Sequence, residues 1–219
     1  LRARIARLLG ADHPERVSLL ANTTDAINLV SEGLPWRTGD SMVLAAPDFP
    51  SMSLPWRRLE ERGVKVREVD LRGVADPEAA LQGAMDESTR LLAVSSVHWA
   101  DGLLLDLPRL GQVCRDAGVL TFVDEIQHFG ALPLDVDANA IDFLAAGAHK
   151  WQMGAEGVAV FCASRQARDR LRPLRLGWRM LEDPFRFDQA GRPPASDGRL
   201  FEAGTPNTLG QVALNASLS

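Results

Sequence analysis

The chain has 219 residues, of which 46% are hydrophobic and 24% are charged, and its formal net charge is −5 at pH 7. This is the composition of a globular protein; the acidic balance argues against a nucleic-acid partner, and no apolar stretch reaches the length of a membrane span. The two cysteines, Cys114 and Cys162, are far apart and form no CxxC pair, so we expect no disulfide and no metal site, and a cytoplasmic location.

Short apolar runs alternate with amphipathic segments along the chain. An Arg-rich amphipathic helix is predicted at the N-terminus, followed by strands at 17–21, 41–46, 64–70, 90–96, 119–124, 142–148 and 157–163 and helices at about 23–33, 51–62, 77–86 and 106–117. Strands that alternate with helices predict an α/β domain with a largely parallel sheet. Residues 173–206 are rich in Pro, Gly and Asp, which predicts a long excursion over the surface or over a site.

Ligands of parallel α/β sheets bind beyond the carboxyl ends of the strands, so the residues that follow each strand are the candidates for a site. Thr23 and Thr24 open a helix whose free N–H groups and dipole favour an anion, although plain helix capping explains them as well. Asp124 ends a buried strand and needs a partner, which is a protonated pyridine nitrogen, an arginine or a helix N-terminus. Gln127 lies one turn further on and supplies an amide donor.

Lys150 is one of only two lysines in a chain with 22 arginines, and it follows an apolar strand. A desolvated lysine can form a Schiff base with a carbonyl, whereas arginine stays charged. His149 beside it can bind a phosphate or the backbone, and Phe49 can lie on a flat ring or pack in the core. Together these residues satisfy what pyridoxal 5′-phosphate needs, namely an amine, an acid, a hydroxyl partner, an aromatic face and an anion site. The chain has no tyrosine, so Gln127 is the natural partner of the ring hydroxyl.

Five segments carry a resemblance to class V aminotransferases, the fold-type I group that includes cysteine desulfurases, kynureninases and isopenicillin-N-epimerase-like proteins. They are "NTTDAINLV", "DFPSMSLPW", the stretch from "RLLAVSSVHWADG" to "VDEIQHFGALPLDV", "DFLAAGAHKWQMG" and "RLFEAGTPNTLG". The resemblance runs from about residue 12 to the end. It implies a three-layer αβα sandwich with a mostly parallel seven-stranded sheet, a PLP-binding large domain over 1–172, and an active-site excursion over 173–219 that leads into an absent or truncated C-terminal small domain.

The resemblance also implies a role for each site residue. Lys150 becomes the Schiff-base lysine and Asp124 the partner of the pyridine nitrogen. The remaining cofactor-binding positions are Thr23, Thr24 and His149 at the phosphate, Phe49 on the ring face, Gln127 and His98 near the ring oxygen, and Thr205 at the phosphate of the neighbouring subunit. The last contact implies a homodimer with shared active sites. Relatives usually carry Ser or Asp just before the lysine, where this chain has Gly147 and Ala148.

Three functions compete at this point. The first is a pyridoxal-phosphate enzyme that acts on an amino acid as a class V aminotransferase, epimerase or lyase. The second is a cysteine desulfurase, against which Phe49 argues because desulfurases usually place His there; Cys114 and Cys162 do not match the desulfurase nucleophile. The third is a truncated, non-catalytic protein of the same fold.

Overall fold

A computed structural model describes residues 1–173, 175–187 and 191–219. It contains seven strands: β1 (Val17–Leu20), β2 (Ser41–Ala46), β3 (Lys65–Asp70), β4 (Thr89–Ser95), β5 (Leu120–Asp124), β6 (Phe143–Gly147) and β7 (Ala159–Ala163). The helices are α1 (Arg2–Leu8), α2 (Thr23–Gly33), α3 (Pro50–Arg57), α4 (Pro77–Gly83), α5 (Leu107–Ala117), α6 (Arg165–Arg168) and α7 (Thr208–Ser217).

The strands form one sheet in the order β1-β7-β6-β5-β4-β2-β3. Neighbours from β6 to β3 are parallel, whereas β7 runs antiparallel to both β6 and β1. Parallel neighbours require long crossovers, which α3, α4 and α5 supply. The predicted mostly parallel, seven-stranded sheet is therefore confirmed, with β7 as its one reversed strand among the described residues.

Two cores, one on each face of the sheet, make the fold three-layered. Alternate residues of each central strand enter opposite cores, as Val123 of β5 packs with α1, α4 and α5 while Phe122 packs with α2 and α3. Strands buried on both faces are apolar at nearly every position, which is why the sequence predicts β5, β6 and β7 from near-continuous apolar runs. The predicted αβα sandwich is confirmed.

The predicted helix at 51–62 differs from the structure in its second half. The α-helix ends at Arg57, and Arg58–Arg62 continues as a 3-10 helix that Gly63 closes in the left-handed region, with a φ of 75°. Pro55 lies within α3 and has no N–H to donate to the preceding turn, which weakens the helix there.

The predicted excursion over 173–206 contains only short elements where it is described. These are 3-10 helices at Trp178–Met180 and Gly198–Phe201 and a bridge between Leu181 and Pro194. Residues 174 and 188–190 of the excursion lie outside the described part. The second 3-10 helix packs on the outer edge of β1, where the Glu202 carboxylate accepts a hydrogen bond from the Leu19 N–H at 2.8 Å.

Within the described ranges, no helix combines the length and the apolar character that crossing a bilayer requires.

Candidate active site

The site forms where three adjacent parallel strands end at one edge of the sheet. Ser95 at the end of β4 is paired in register with Asp124 at the end of β5, and Asp124 is paired with Ala145 of β6. The chain leaves β6 through His149 and Lys150. This register brings residues that are far apart in sequence to one edge, which is the usual ligand-binding place in such folds.

Asp124 is the buried acid at the centre of this edge. Asp124 is only 7% exposed, and its Oδ1 accepts a hydrogen bond from the Ile126 N–H at 2.9 Å. Burial raises the pKa of Asp124 to about 7; the Ile126 hydrogen bond and the nearby Lys150 ammonium oppose this rise, and Asp48 adds to it. Lys150 follows β6, whose Ala145 is paired with Asp124, so the two residues lie on neighbouring strand ends at the same edge.

Lys150 is half-buried in the turn that follows β6. Its carbonyl accepts a hydrogen bond from the Met153 N–H at 2.9 Å, which closes the turn. The exposed His149 folds its ring back over Gly147, where an added Cβ would lie 2.9 Å from the ring atom Cε1. A serine at position 147 would therefore displace His149. The folded position of the imidazole depends on glycine at position 147.

Gln127 is half-buried after β5 and contacts the residue that follows the lysine. The Trp151 indole Nε1 donates a hydrogen bond to the Gln127 Oε1 at 3.1 Å. Sequence reasoning named Gln127 but missed Trp151. The "HKW" stretch contained the signal, because an indole next to the lysine has a donor that needs an acceptor when it is ordered.

Phe49 follows β2 and forms an aromatic pair with Trp99, which follows β4. The ring centroids are 5.8 Å apart with an interplanar angle of 79°, an edge-to-face arrangement. Phe49 is 50% exposed and Trp99 is 51% exposed, so neither ring is a core residue. The core-packing alternative for Phe49 is therefore wrong, and its ring is available to a ligand.

Asp48 is a second residue that sequence reasoning missed. Its Oδ2 accepts a hydrogen bond from the Ser95 hydroxyl at 2.6 Å, and its Oδ1 accepts one from the Phe49 N–H at 2.6 Å. Burial raises the pKa of Asp48, and the Ser95 hydrogen bond opposes the rise. These bonds tie the loop after β2 to the end of β4 and hold the backbone of Phe49.

His98 has both ring nitrogens occupied by the chain itself. Nδ1 lies 2.6 Å from the Asp101 Oδ1, and Nε2 lies 3.1 Å from the Pro47 carbonyl oxygen. The imidazole therefore joins the loop after β4 to the loop after β2. It holds the neighbouring Trp99 near Phe49.

Thr23 and Thr24 occupy the first turn of α2. The Asn22 side chain caps this helix by accepting from the Asp25 N–H at 2.8 Å, and the Thr24 hydroxyl bonds to the Ser51 hydroxyl at 2.9 Å. The buried Thr23 Oγ1 has no hydrogen-bond partner among the described residues. Because Asn22 caps the helix, the Thr23 hydroxyl is not used in capping, which favours the anion interpretation over the capping one for this residue.

Thr205 lies on the loop that precedes α7. It is exposed and lines a cavity of about 250 Å³ with Ala21 and Asn28, a cavity whose lining includes neither Lys150 nor Asp124. The structure thus places Thr205 beside residues that flank Thr23 and Thr24 at the start of α2.

A buried polar cluster lies on the opposite face of the sheet from Asp124. The Ser96 hydroxyl donates to the Glu125 Oε2 at 2.7 Å, and the His128 Nδ1 is 3.3 Å from the same oxygen.

Both cysteines are also buried, and burial raises the pKa of Cys114 and of Cys162 to about 12. A thiol with such a pKa is not a nucleophile at neutral pH, so neither cysteine supplies one.

These contacts fit pyridoxal 5′-phosphate. Thr23 offers a buried hydroxyl without a partner at a helix N-terminus, and Asp124 has one oxygen free of hydrogen bonds within the described part of the chain. Phe49 offers an open aromatic face and Lys150 an amine near the acid. No group of three His, Cys, Asp or Glu residues that could hold a metal ion occurs in the described ranges.

Comparison with known proteins identifies the family of the chain. The family model described as aminotransferase class-V matches residues 1–219. A probable cysteine desulfurase of Methanothermobacter thermautotrophicus is 37% identical over 219 residues, which are 99% of this chain and 54% of that protein. The isopenicillin N epimerase of Streptomyces clavuligerus is 32% identical over 201 residues, covering 90% of this chain and 49% of that protein.

A solved structure agrees in fold. A lysine-to-alanine variant of C-DES, with glycine covalently linked to its PLP cofactor, matches 99% of this chain with a TM-score of 0.90 and 26% identity. The match covers 58% of that chain. The chain thus spans about half the length of the relatives it matches.

Proposed function

Because the chain belongs to the aminotransferase class-V family, a family of pyridoxal-phosphate-dependent enzymes, we propose that the protein acts on an amino acid with this cofactor held at Lys150. The observation that carries the proposal is that Asp124 ends β5 and Lys150 follows the neighbouring, paired strand β6, at one edge of the sheet. A buried acid and a lysine amine are the two groups that hold opposite ends of a pyridoxal ring. The transfer, epimerase and lyase reactions of the family share this arrangement.

Each residue has a defined task in this proposal. The cofactor, when bound, supplies an electron-poor ring that stabilises negative charge at the substrate Cα. Asp124 as a carboxylate keeps a proton on the pyridine nitrogen, and Gln127 lies on the side of the ring oxygen. His98, whose two ring nitrogens contact Asp101 and Pro47, supports the site by joining the loops after β2 and β4. Lys150, once its amine is released by the substrate, takes and returns the proton at Cα as general base and acid.

The other residues bind and orient the cofactor. Phe49 lies on the ring face, and its backbone is held by Asp48, so the ring has a fixed support. Thr23, Thr24 and His149 bind the phosphate at the start of α2, where the helix dipole favours negative charge. The buried Thr23 hydroxyl, which has no hydrogen-bond partner among the described residues, donates a hydrogen bond to the phosphate in the complex.

We further propose a homodimer that shares its active sites, located in the cytoplasm. The exposed position of Thr205 in one copy of the chain supports the dimer, since its hydroxyl can then serve the phosphate of the other subunit. The half-exposed Phe49, Trp99 and Trp151 at the same edge also support it, because a second copy would cover them. The division into a PLP-binding domain at 1–172 and an excursion at 173–219 stays a prediction.

Cysteine desulfurase activity is the second candidate. The name of the Methanothermobacter thermautotrophicus relative favours it, whereas Phe49 does not. A non-catalytic protein of the same fold is the third candidate. The convergence of unpaired polar groups at the site argues against it, because such groups destabilise a fold unless a ligand uses them.

The test is a screen of amino acids against the cofactor-loaded protein, with the visible absorption spectrum as readout. A substrate changes the band of the bound chromophore, and product analysis then identifies the reaction. Release of sulfide from cysteine supports the desulfurase, while transfer or epimerisation without sulfide supports the first proposal. A protein that stays colourless with added cofactor and ignores every amino acid contradicts both.

A further inference from the structure

The contact between Trp151 and Gln127 determines how the glutamine amide is turned. An indole nitrogen can only donate a hydrogen bond, so the amide atom that it contacts must be the oxygen. The Trp151 Nε1 lies 3.1 Å from the Gln127 Oε1, which assigns the amide by chemistry. Gln127 Nε2 consequently faces away from the indole, and it makes no hydrogen bond within the described residues.

The two loops that carry this contact are held against each other. Gly130 has a φ of 101°, and an added Cβ there would lie 2.6 Å from the Trp151 carbonyl oxygen. Only glycine allows the loop after β5 to approach the backbone of Trp151 so closely. On the other side, Gln152 Nε2 donates to the Gly147 carbonyl oxygen at 3.3 Å. The backbone of Trp151 therefore has little freedom, and its indole meets Gln127 at a fixed place.

We propose that Trp151 is a positioning residue that holds the Gln127 amide with its NH₂ group toward the oxygen of the cofactor ring. The inference rests on the proposed function, since it needs a pyridoxal ring in the site. An unrestrained amide could turn its oxygen toward the negatively charged ring oxygen, which repels it. With Oε1 occupied by the indole, only the donating orientation keeps both ends of the amide bonded.

A hydrogen bond donated to the ring oxygen stabilises the negative charge of that oxygen. The oxygen then attracts less strongly the proton that it shares with the Schiff-base nitrogen. The pH at which the bound chromophore changes its visible band reports this balance. Trp151→Phe keeps an aromatic ring and removes only the donor. We expect the midpoint of the pH titration to rise by about 0.5–1 pH unit, which corresponds to losing part of one neutral hydrogen bond.

Two further variants separate positioning from packing. Gln127→Leu should raise the midpoint in the same direction, and adding Trp151→Phe to it should produce no further shift, because Trp151 acts through Gln127. Trp36→Phe is the matched control, since the Trp36 indole also donates to an oxygen, the Ser31 carbonyl at 2.8 Å, but away from the site. It should leave the midpoint unchanged.

The contact itself is tested without cofactor. In an NMR spectrum of the cofactor-free protein, Gln127→Leu should move the indole N–H resonance of Trp151. An unmoved resonance, an unchanged midpoint in Trp151→Phe, or additive shifts in the double variant would each overturn the inference. If the resonance moves but no variant binds the cofactor, the proposed function has failed and the inference falls with it, although the contact is real.

Discussion

Asp124 ends β5 and is paired with Ala145 of β6, the strand that Lys150 follows, so the acid and the amine leave neighbouring strands at one edge of the sheet although 25 residues separate them in sequence. The Asp124 carboxyl is buried and the Lys150 side chain is half-buried. An acid in such a position is unfavourable for the folded chain by itself. A ligand that carries a positive charge can pair with this acid. Removing the acid should therefore stabilise the fold and weaken the binding of the cofactor.

Asp124→Asn should stabilise the cofactor-free protein at pH 8. Burial raises the pKa of Asp124 to about 7 from an ordinary value of 3.8. Between these two pH values the folded chain therefore holds a proton that the unfolded chain has lost. The stability that this proton confers is present below pH 4 and is lost as the pH rises through about 7. At pH 8 we expect the variant to be more stable by on the order of 2 kcal/mol.

Urea unfolding at pH 4 and pH 8 measures this effect. The difference between the variant and the parent should shrink toward zero at the lower pH, while the variant binds the cofactor more weakly at both. A variant that is less stable than the parent at pH 8 would show that Asp124 has an ionic partner in the cofactor-free fold.

Thr23→Val should separate phosphate binding from folding. The Thr23 hydroxyl is buried without a partner in the described structure, so replacing it with a methyl group should leave stability unchanged or raise it by up to about 1 kcal/mol. Binding of pyridoxal 5′-phosphate should weaken by roughly tenfold, the effect of one lost hydrogen bond to a charged group. Binding of pyridoxal, which lacks the phosphate, should not change.

The matched control is Thr121→Val. The Thr121 hydroxyl donates to the Ala140 carbonyl oxygen at 3.2 Å and accepts from the Asp142 N–H at 2.8 Å, so this variant should lose about 1–2 kcal/mol of stability. It should bind both cofactor forms as the parent does. Equal loss of pyridoxal and of its phosphate in Thr23→Val would place the hydroxyl away from the phosphate.

Phe49→Ala should weaken cofactor binding with little effect on the fold. The Phe49 ring is 50% exposed, so its removal should cost less than about 1 kcal/mol of stability. Loss of an aromatic surface against the ring should reduce cofactor affinity roughly tenfold. Leu54→Ala, in the following helix and 62% exposed, is the control and should change neither quantity. Unchanged affinity in Phe49→Ala would assign the aromatic pair to another role.

Cys114 and Cys162 should resist thiol reagents in the folded protein. Burial raises the pKa of both thiols to about 12, so almost none of either is thiolate at pH 8. We expect an aromatic disulfide reagent to label neither until denaturant is added. Rapid labelling of either cysteine under native conditions, or loss of sulfide release in Cys114→Ala, would indicate that a cysteine of this chain acts as a nucleophile.

Most of the fold was predictable because burial on both faces leaves a simple trace in sequence. Strands β5, β6 and β7 are apolar at nearly every position, and the capped α5 begins and ends within one residue of its predicted bounds. The antiparallel direction of β7 was not predictable, since alternation of elements does not encode direction. The α3 segment was misjudged because its apolar pattern continues into the 3-10 turn.

The site was predictable in its residues but not in its contacts. The amine, the acid and the aromatic follow three strands, and parallel topology places the ends of such strands together. The bonds of His98 to Asp101 and Pro47, and of Trp151 to Gln127, depend on side-chain rotamers and on loops that are distant in sequence. Periodicity carries no information on these, so Asp48 and Trp151 went unrecognised.

Reductive trapping tests the central claim most directly, because the chain has only two lysines. The protein is incubated with pyridoxal 5′-phosphate, reduced with borohydride and digested, and the modified peptide is identified by mass spectrometry. We predict that the pyridoxyl group is on Lys150 alone, that Lys65→Ala leaves this labelling unchanged, and that Lys150→Ala abolishes it together with the visible band. Labelling of the exposed Lys65 in preference to Lys150, or no stable label at all, would contradict the account.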